Sequence, residues 1–314
     1  MASNILGLVI GLILLTLGSD WLVKGASLTA MSLSIRPIII GLTIVAFATS
    51  APELLVSFVA ALKGSSGISV GNIIGSNIIN IALVLGLSSV FRPLHVNQQV
   101  ASRELPYMIM ISILFWIFCL DGTIGRLDGI ILLIGLIIFL IYGFYTAKET
   151  DIPSKIVKKP SVKTYFYYAI LIISGFCCLA FGADLVVKNA IVIARQFNIS
   201  DVFIGLSIVA VGTSLPELAT SVVAVLKGES DISLGNVVGS NIFNICMVMG
   251  VIGMLSPIEN IDPGLYRFEF PAMIFLSVFM FVITRFDLVI TRLHGIFLLT
   301  SFIFYICISY YLIK

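Results

Sequence analysis

Charged side chains are scarce in this chain: 11% of its 314 residues are Asp, Glu, Lys or Arg, less than half the roughly 25% of a soluble domain. With 59% apolar residues and a mean hydropathy of +1.15, that scarcity excludes an ordinary soluble globule and describes a polytopic membrane protein. A net charge of +2 and the lack of any basic stripe interleaved with aromatics exclude nucleic acid as a partner. The two histidines, His95 and His294, sit near the ends of apolar runs, so a histidine-built metal or catalytic cluster is not expected. Cysteine is equally uninformative as chemistry. Cys119, Cys177, Cys178, Cys246 and Cys307 all lie in apolar runs, where a thiol behaves as a small hydrophobe, and neither disulfide nor zinc spacing is visible. The opening MASN has no basic n-region and the run after it no small-residue cleavage signature, so that run is expected to be a retained span. No cofactor and no obligatory protein partner are expected.

What is present, twice, is one stretch. Residues 41–87, GLTIVAFATSAPELLVSFVAALKGSSGISVGNIIGSNIINIALVLGL, align without a gap on residues 205–251, GLSIVAVGTSLPELATSVVAVLKGESDISLGNVVGSNIFNICMVMGV, at a constant offset of 164. Roughly 29 of the 47 positions are identical, and the identities include Thr, Ser, Pro, Glu, Gly and Asn. The repeat extends outward. GSDWLVKGA from Gly18 matches GADLVVKNA from Gly182 at 164, and RLDGIILL from Arg126 matches RLHGIFLL from Arg292 at 166.

Hydropathy, at about 20 residues per crossing, places spans near 5–33, 38–62, 70–91, 107–121, 128–146, 165–194, 202–226, 234–256, 268–284 and 294–312. The expected architecture is therefore an all-α integral membrane protein with ten transmembrane helices in two five-helix repeats. The first covers residues 1–146 and the second 165–314, joined by a linker at 147–164. Five spans per copy make the second enter the membrane the opposite way, which is the inverted-repeat plan of secondary transporters. Twelve of the eighteen Lys and Arg fall in the loops after spans 1, 3, 5, 7 and 9 and the adjoining helix ends. The positive-inside rule then puts those loops in the cytoplasm and both termini outside, in an inner or plasma membrane. Asp20 with Lys24 and Asp184 with Lys188 are spaced i, i+4 in the favourable order, and local ion pairs are expected there.

The chemistry lies in the doubled stretch. Glu53 and Glu217 each follow a proline inside an apolar run, and a carboxylate there costs at least about 2.5–3.5 kcal/mol and marks a functional site by default. Pro52 and Pro216 lack an amide hydrogen and clash with the preceding turn. The carbonyls of Ala48 and Gly212 are thus expected to lose their helical partners at a kink, with those of Thr49 and Thr213 freed beside them. On the next span Ser76 and Asn80, and in the second copy Ser240 and Asn244, share a helix face at i, i+4. Asn77 and Asn241 stand a step round. Two carboxylates and two threonine carbonyls give six oxygens, within the six to eight hard ligands that calcium takes. Ser50, Ser214, Ser76, Ser240, Asn80 and Asn244 could add oxygens for ions of smaller charge. Softer metals would want Cys, Met or His.

The paired ATSAPE and GTSLPE motifs, each followed by a GN…GSN…N motif, resemble the α-repeats of the sodium/calcium exchangers within the cation/calcium exchanger superfamily, in its prokaryotic form without a large regulatory domain. The resemblance covers nearly the whole chain. It implies a sodium-driven calcium antiporter working by alternating access, with Ca2+ and Na+ bound as substrates in a midplane site between spans 2, 3, 7 and 8. By motif position it makes Glu53 and Glu217 calcium ligands shared with sodium in alternation. Thr49, Ser50, Ser76, Asn80, Thr213, Ser214 and Ser240 become flanking ligands, and the carbonyls of Ala46 and Ala210 serve outer sodium ions. Two positions depart from the family pattern: Asn244 stands where potassium-dependent relatives have Asp, and Ala48 replaces the glycine seen at Gly212.

Three other readings compete. A calcium/proton antiporter would use the same two glutamates as proton carriers, and a channel would also use oxygen ligands, although repeats of opposite orientation suit alternating access. An intramembrane protease would need a serine with a base or two facing aspartates, and neither is evident, so the chain is not expected to be an enzyme.

Overall fold

A computed structural model describes residues 2–33, 35–146, 161–196 and 210–313. The described residues are helical apart from connecting turns, one pair of two-residue strands and one isolated bridge, as the hydropathy requires. The helices are α1 (Ala2–Leu33), α2 (Pro37–Thr49), α3 (Ala51–Leu62), α4 (Ser66–Phe91), α5 (Val100–Cys119), α6 (Arg126–Thr146), α7 (Val162–Gln196), α8 (Ala210–Thr213), α9 (Leu215–Leu226), α10 (Ser230–Leu255), α11 (Leu265–Asp287) and α12 (Arg292–Ile313). Among the described residues, eight helices are long and apolar enough to cross a bilayer, or nine when α2 and α3 count as one bent span. Of the expected span at 202–226, residues 202–209 lie outside the described residues, as does 147–160 of the expected linker.

Burial sorts the helices into two layers. In their most apolar stretches α4 is 78% and α10 89% buried, whereas α6 and α7 are 22% and α12 11% buried. The outer helices turn Leu6, Ile13, Ile137, Ile141, Phe166, Ile173 and Phe304 outward, which in a membrane is a lipid face. The two inner helices carry the GN…GSN…N motifs. Each is reached through a tight turn after the preceding helix. Gly64 and Gly228 have φ of +72° and +82°, a left-handed conformation open to glycine. The next amides, Ser65 and Glu229, bond back to Ala60 and Ala224 at 2.9 and 2.8 Å, closing a Schellman cap.

Contacts between the halves come in reciprocal pairs, the signature of a two-fold relation. A Cβ on Gly11 would lie 2.9 Å from the Gly182 carbonyl oxygen and one on Gly182 2.9 Å from that of Gly11; Gly18 and Gly175 are related in the same way at 2.8 Å. Since 182 and 175 are 18 and 11 plus the repeat offset, α1 and α7 cross antiparallel with equivalent residues exchanged. The short strands follow suit: Leu94 pairs with Ile290, and Ile124 forms the matching bridge with Ile258.

Two local expectations need correction. The prolines do not sit inside kinked helices. The helix stops at Ser50 (φ −81°, ψ 3°) and restarts at Ala51, so Pro52 occupies the first turn of α3, where its missing donor costs nothing; α2 and α3 meet at 44°. Ser214 and Pro216 repeat this break. Of the two local ion pairs, Asp184–Lys188 forms at 2.8 Å. Asp20 is paired instead with Lys227, from the turn between α9 and α10: the local spacing rule is worth only tenths of a kcal/mol and yields to a partner brought in by packing.

Candidate functional site

Each break delivers a carboxylate into the protein interior. Glu53 and Glu217 fall in the first turns of α3 and α9, where the helix dipole favours negative charge, and both are fully buried. Hydroxyls from the opposite half meet them. Ser214 Oγ donates to Glu53 Oε1 at 3.2 Å, and Ser50 Oγ to Glu217 Oε1 at 3.5 Å. Ser76 adds a bond to Glu53 at 3.4 Å, and Thr213 also bonds the Glu53 side chain. Thr49 and Ser240 lie beside Glu217, with their own hydroxyls 3.2 Å apart.

Residues Thr49, Ser50, Ser76, Asn80, Thr213, Ser214, Ser240 and Asn244 are all buried. The structure thus buries all the expected polar side chains: Ser50, Ser76 and Ser214 are bonded to the two carboxylates, whereas Asn80 and Asn244 belong to a separate asparagine network. Ala46 is buried too, but its carbonyl already accepts the Ser50 amide at 3.0 Å and the Thr49 hydroxyl at 3.4 Å. Ala210 begins α8 in the equivalent place.

The asparagines form a cross-brace between the inner helices. Asn77 Nδ2 donates to the Asn241 carbonyl at 3.3 Å and Asn241 Nδ2 to the Asn77 carbonyl at 3.4 Å. Asn80 Nδ2 donates to Asn241 Oδ1 at 3.0 Å and Asn244 Nδ2 to Asn77 Oδ1 at 3.1 Å. At Asn80 and again at Asn244 the helix widens into a π-helical stretch, Asn80–Leu85 and Asn244–Met249, a distortion frequent at functional sites.

Four oxygens remain. Glu53 Oε2, Glu217 Oε2, Asn80 Oδ1 and Asn244 Oδ1 are buried without a hydrogen-bond partner. Each unsatisfied neutral acceptor costs about 1–3 kcal/mol, and a charged one more. All four are hard oxygens that can only accept, and the amide donors of both asparagines are already used across the interface. Two carboxylates supply the formal charge that one divalent cation neutralises.

Sequence reasoning missed Asn72 and Asn236. Asn72 Nδ2 donates to Ser57 Oγ and Asn236 Nδ2 to Ser221 Oγ, both at 2.9 Å, tying α3 to α4 and α9 to α10. Asn236 Oδ1 also accepts from Thr49 across the interface at 3.0 Å. Their signal was the doubled GN at the head of each motif.

Residues 3–145 and 167–311 match the family described as "Sodium/calcium exchanger protein". The chain is 37% identical to the inner membrane protein YrbG of Escherichia coli strain K12, over 86% of this chain and 85% of that one. It is 29% identical to the sodium/calcium exchanger MaX1 of Methanosarcina acetivorans, over 98% and 99%. The solved structure of the sodium-calcium exchanger NCX_Mj, soaked with Na+ and Ca2+, superposes with a TM-score of 0.85 at 32% identity, covering 97% of each chain. The protein is a multi-pass membrane protein, and the chain belongs to the sodium/calcium exchanger protein family, a family of transporters.

Proposed function

We propose that this protein is a sodium-driven calcium antiporter in which one buried site, made by both halves, is exposed to the two sides of the membrane in turn. The observation that carries the reading is the set of four unpartnered oxygens, on Glu53, Glu217, Asn80 and Asn244. They ask for a hard cation, and the neutral hydroxyls of Thr49, Ser50, Ser76, Thr213, Ser214 and Ser240 offer oxygens to monovalent ions alongside. In this reading Ala46 and Ala210 contribute carbonyls for sodium. The Ala46 carbonyl has a second lone pair beyond its helical bond, though the Thr49 hydroxyl would have to turn away from it.

The chain is read as ten helices in two inverted repeats, residues 1–146 and 165–314, with the site near the midplane between spans 2, 3, 7 and 8. The antiparallel crossing of α1 and α7 supports opposite insertion of the two halves. Both termini are assigned outside an inner membrane, with the linker at 147–164 in the cytoplasm. A single cysteine at position 157 should then react only with cytoplasmic reagents, and a tag at either terminus only from outside; the reverse pattern overturns the orientation.

Proteoliposomes loaded with sodium test the function. An outward sodium gradient should drive calcium uptake that sodium-free vesicles with a pH gradient do not show. Uptake driven by the pH gradient alone would replace sodium with protons, the reading that the names of the family and of MaX1 and NCX_Mj disfavour.

A further inference from the structure

The two halves break their symmetry at one buried acid. In the second half, Glu269 at the head of α11 is held by α12: Tyr305 Oη donates to Oε2 at 2.5 Å and Ser309 Oγ to Oε1 at 2.8 Å. The repeat equivalents, at an offset of 165 for the acid and 166 for its partners, are Glu104, Phe139 and Gly143. Both acids end a π-helical turn, Val100–Glu104 and Leu265–Glu269, and both precede an X-Pro pair. The acid was kept and its two hydroxyl donors were not.

Glu104 is only 8% exposed, and its Oε2 is buried without a hydrogen-bond partner. It lines a small, largely apolar cleft of about 80 Å³ together with Arg103, Phe139 and Gly143, and with the side chains of Ile39, Leu42 and Ile138. A Cβ on Gly143 would meet nothing within 4 Å, so the space the serine fills in the other half is open here. Ile138 is 57% exposed on the outer helix α6, so the cleft communicates with the lipid face. Beside it the Arg103 guanidinium lies 5.8 Å from the centroid of the Tyr142 ring, and Tyr142 and Tyr145 are exposed, as at the headgroup level of a bilayer.

We infer that the cleft between α2, α5 and α6 is a specific phospholipid site, in which a primary-ammonium headgroup donates to Glu104, its phosphate pairs with Arg103, and an acyl chain lies along Ile39, Leu42 and Ile138. The ammonium replaces the donors that Tyr305 and Ser309 supply in the other half, with a charge complementary to the carboxylate. The phosphate is matched by the adjacent guanidinium. A choline headgroup offers no N–H donor, and a glycerol headgroup has hydroxyls but no positive charge. This assignment is independent of which ions are transported.

The test is native mass spectrometry of the full chain released from nanodiscs of equal parts dioleoyl phosphatidylethanolamine, phosphatidylcholine and phosphatidylglycerol. The wild type should retain the ethanolamine lipid over the choline lipid by about tenfold, the worth of one charge-assisted hydrogen bond. Glu104→Gln should lose most of that preference. Should Glu104→Gln fail to fold, the double variant Phe139→Tyr/Gly143→Ser decides, because it installs the donors that the second half already accommodates and should abolish the preference while raising Tm. Equal retention of the ethanolamine and choline lipids by the wild type, or an unchanged preference in Phe139→Tyr/Gly143→Ser, overturns the site. A preference for the glycerol lipid overturns the headgroup assignment.

Discussion

Ser214 donates its hydroxyl to Glu53 at 3.2 Å, while Ser50 reaches Glu217 at 3.5 Å: each half's serine serves the other half's carboxylate, and the two bonds are unequal. The longer one is at the limit of useful geometry. Ser214→Ala should therefore weaken calcium half-saturation more than Ser50→Ala. A hydrogen bond to a charged group is worth about tenfold or more. Calcium-dependent flux in paired proteoliposome preparations gives the comparison, and equal effects would mean that the bound state equalises the two contacts.

Glu53→Gln and Glu217→Gln should each nearly abolish calcium transport and leave a folded protein. The amide is isosteric, but it removes one of the two charges that balance a divalent ion. Size-exclusion behaviour and Tm establish folding, and 45Ca flux establishes the loss. Full flux in either variant removes that glutamate from the site.

Asn244→Asp should alter ion preference more than folding. Asn244 donates Nδ2 to Asn77 Oδ1 at 3.1 Å, and a carboxylate cannot donate there. The substitution thus both adds an anion near the glutamates and opposes one oxygen with another. Added negative charge raises the affinity of neighbouring carboxylates for protons, so calcium flux should become more sensitive to acid, with added potassium offsetting part of the change. Identical pH profiles with and without potassium would reduce Asn244 to a packing residue.

Transport should be electrogenic if, as the resemblance to the exchangers implies, three sodium ions are exchanged for one calcium. Two glutamates neutralise one calcium, whereas three sodium ions leave the same site one charge positive. A potential negative inside should then favour sodium entry and calcium exit by about 2.3 kcal/mol per net charge per 100 mV. In sodium-loaded vesicles a potassium-diffusion potential positive inside should accelerate calcium uptake, and the opposite potential should slow it. Voltage-independent uptake would indicate two monovalent ions per calcium.

The candidate site was legible in the sequence because duplication printed it twice: Glu53 and Glu217, with their threonines, serines and asparagines, align without a gap at one offset. Tertiary exchange was not legible. Nothing in ATSAPE says that Ser50 serves Glu217 rather than Glu53, and nothing local says that Asp20 prefers Lys227 to Lys24. Helix breaks at Ser50 and Ser214 replace the kink that proline sterics alone would give, since the chain avoids the clash by ending one helix and beginning another. Glu104 and Glu269 escaped notice because the offset drifts from 164 to 166 between the doubled stretch and Arg126, which hid their equivalence.

The mutual bonds between Asn77 and Asn241 make the contact between the halves isologous, like that of a homodimer fused into one chain. Neither half is then self-sufficient. Residues 1–146 alone would bury Glu53 without Ser214 and Asn77 without Asn241, and residues 161–314 alone would bury Glu217 without Ser50. Each fragment would carry orphaned polar groups into the bilayer, where their cost is several kcal/mol apiece. Complementation by co-expressed fragments is thus built into the interface, and an unpaired fragment presents membrane quality control with exposed polar surface to recognise.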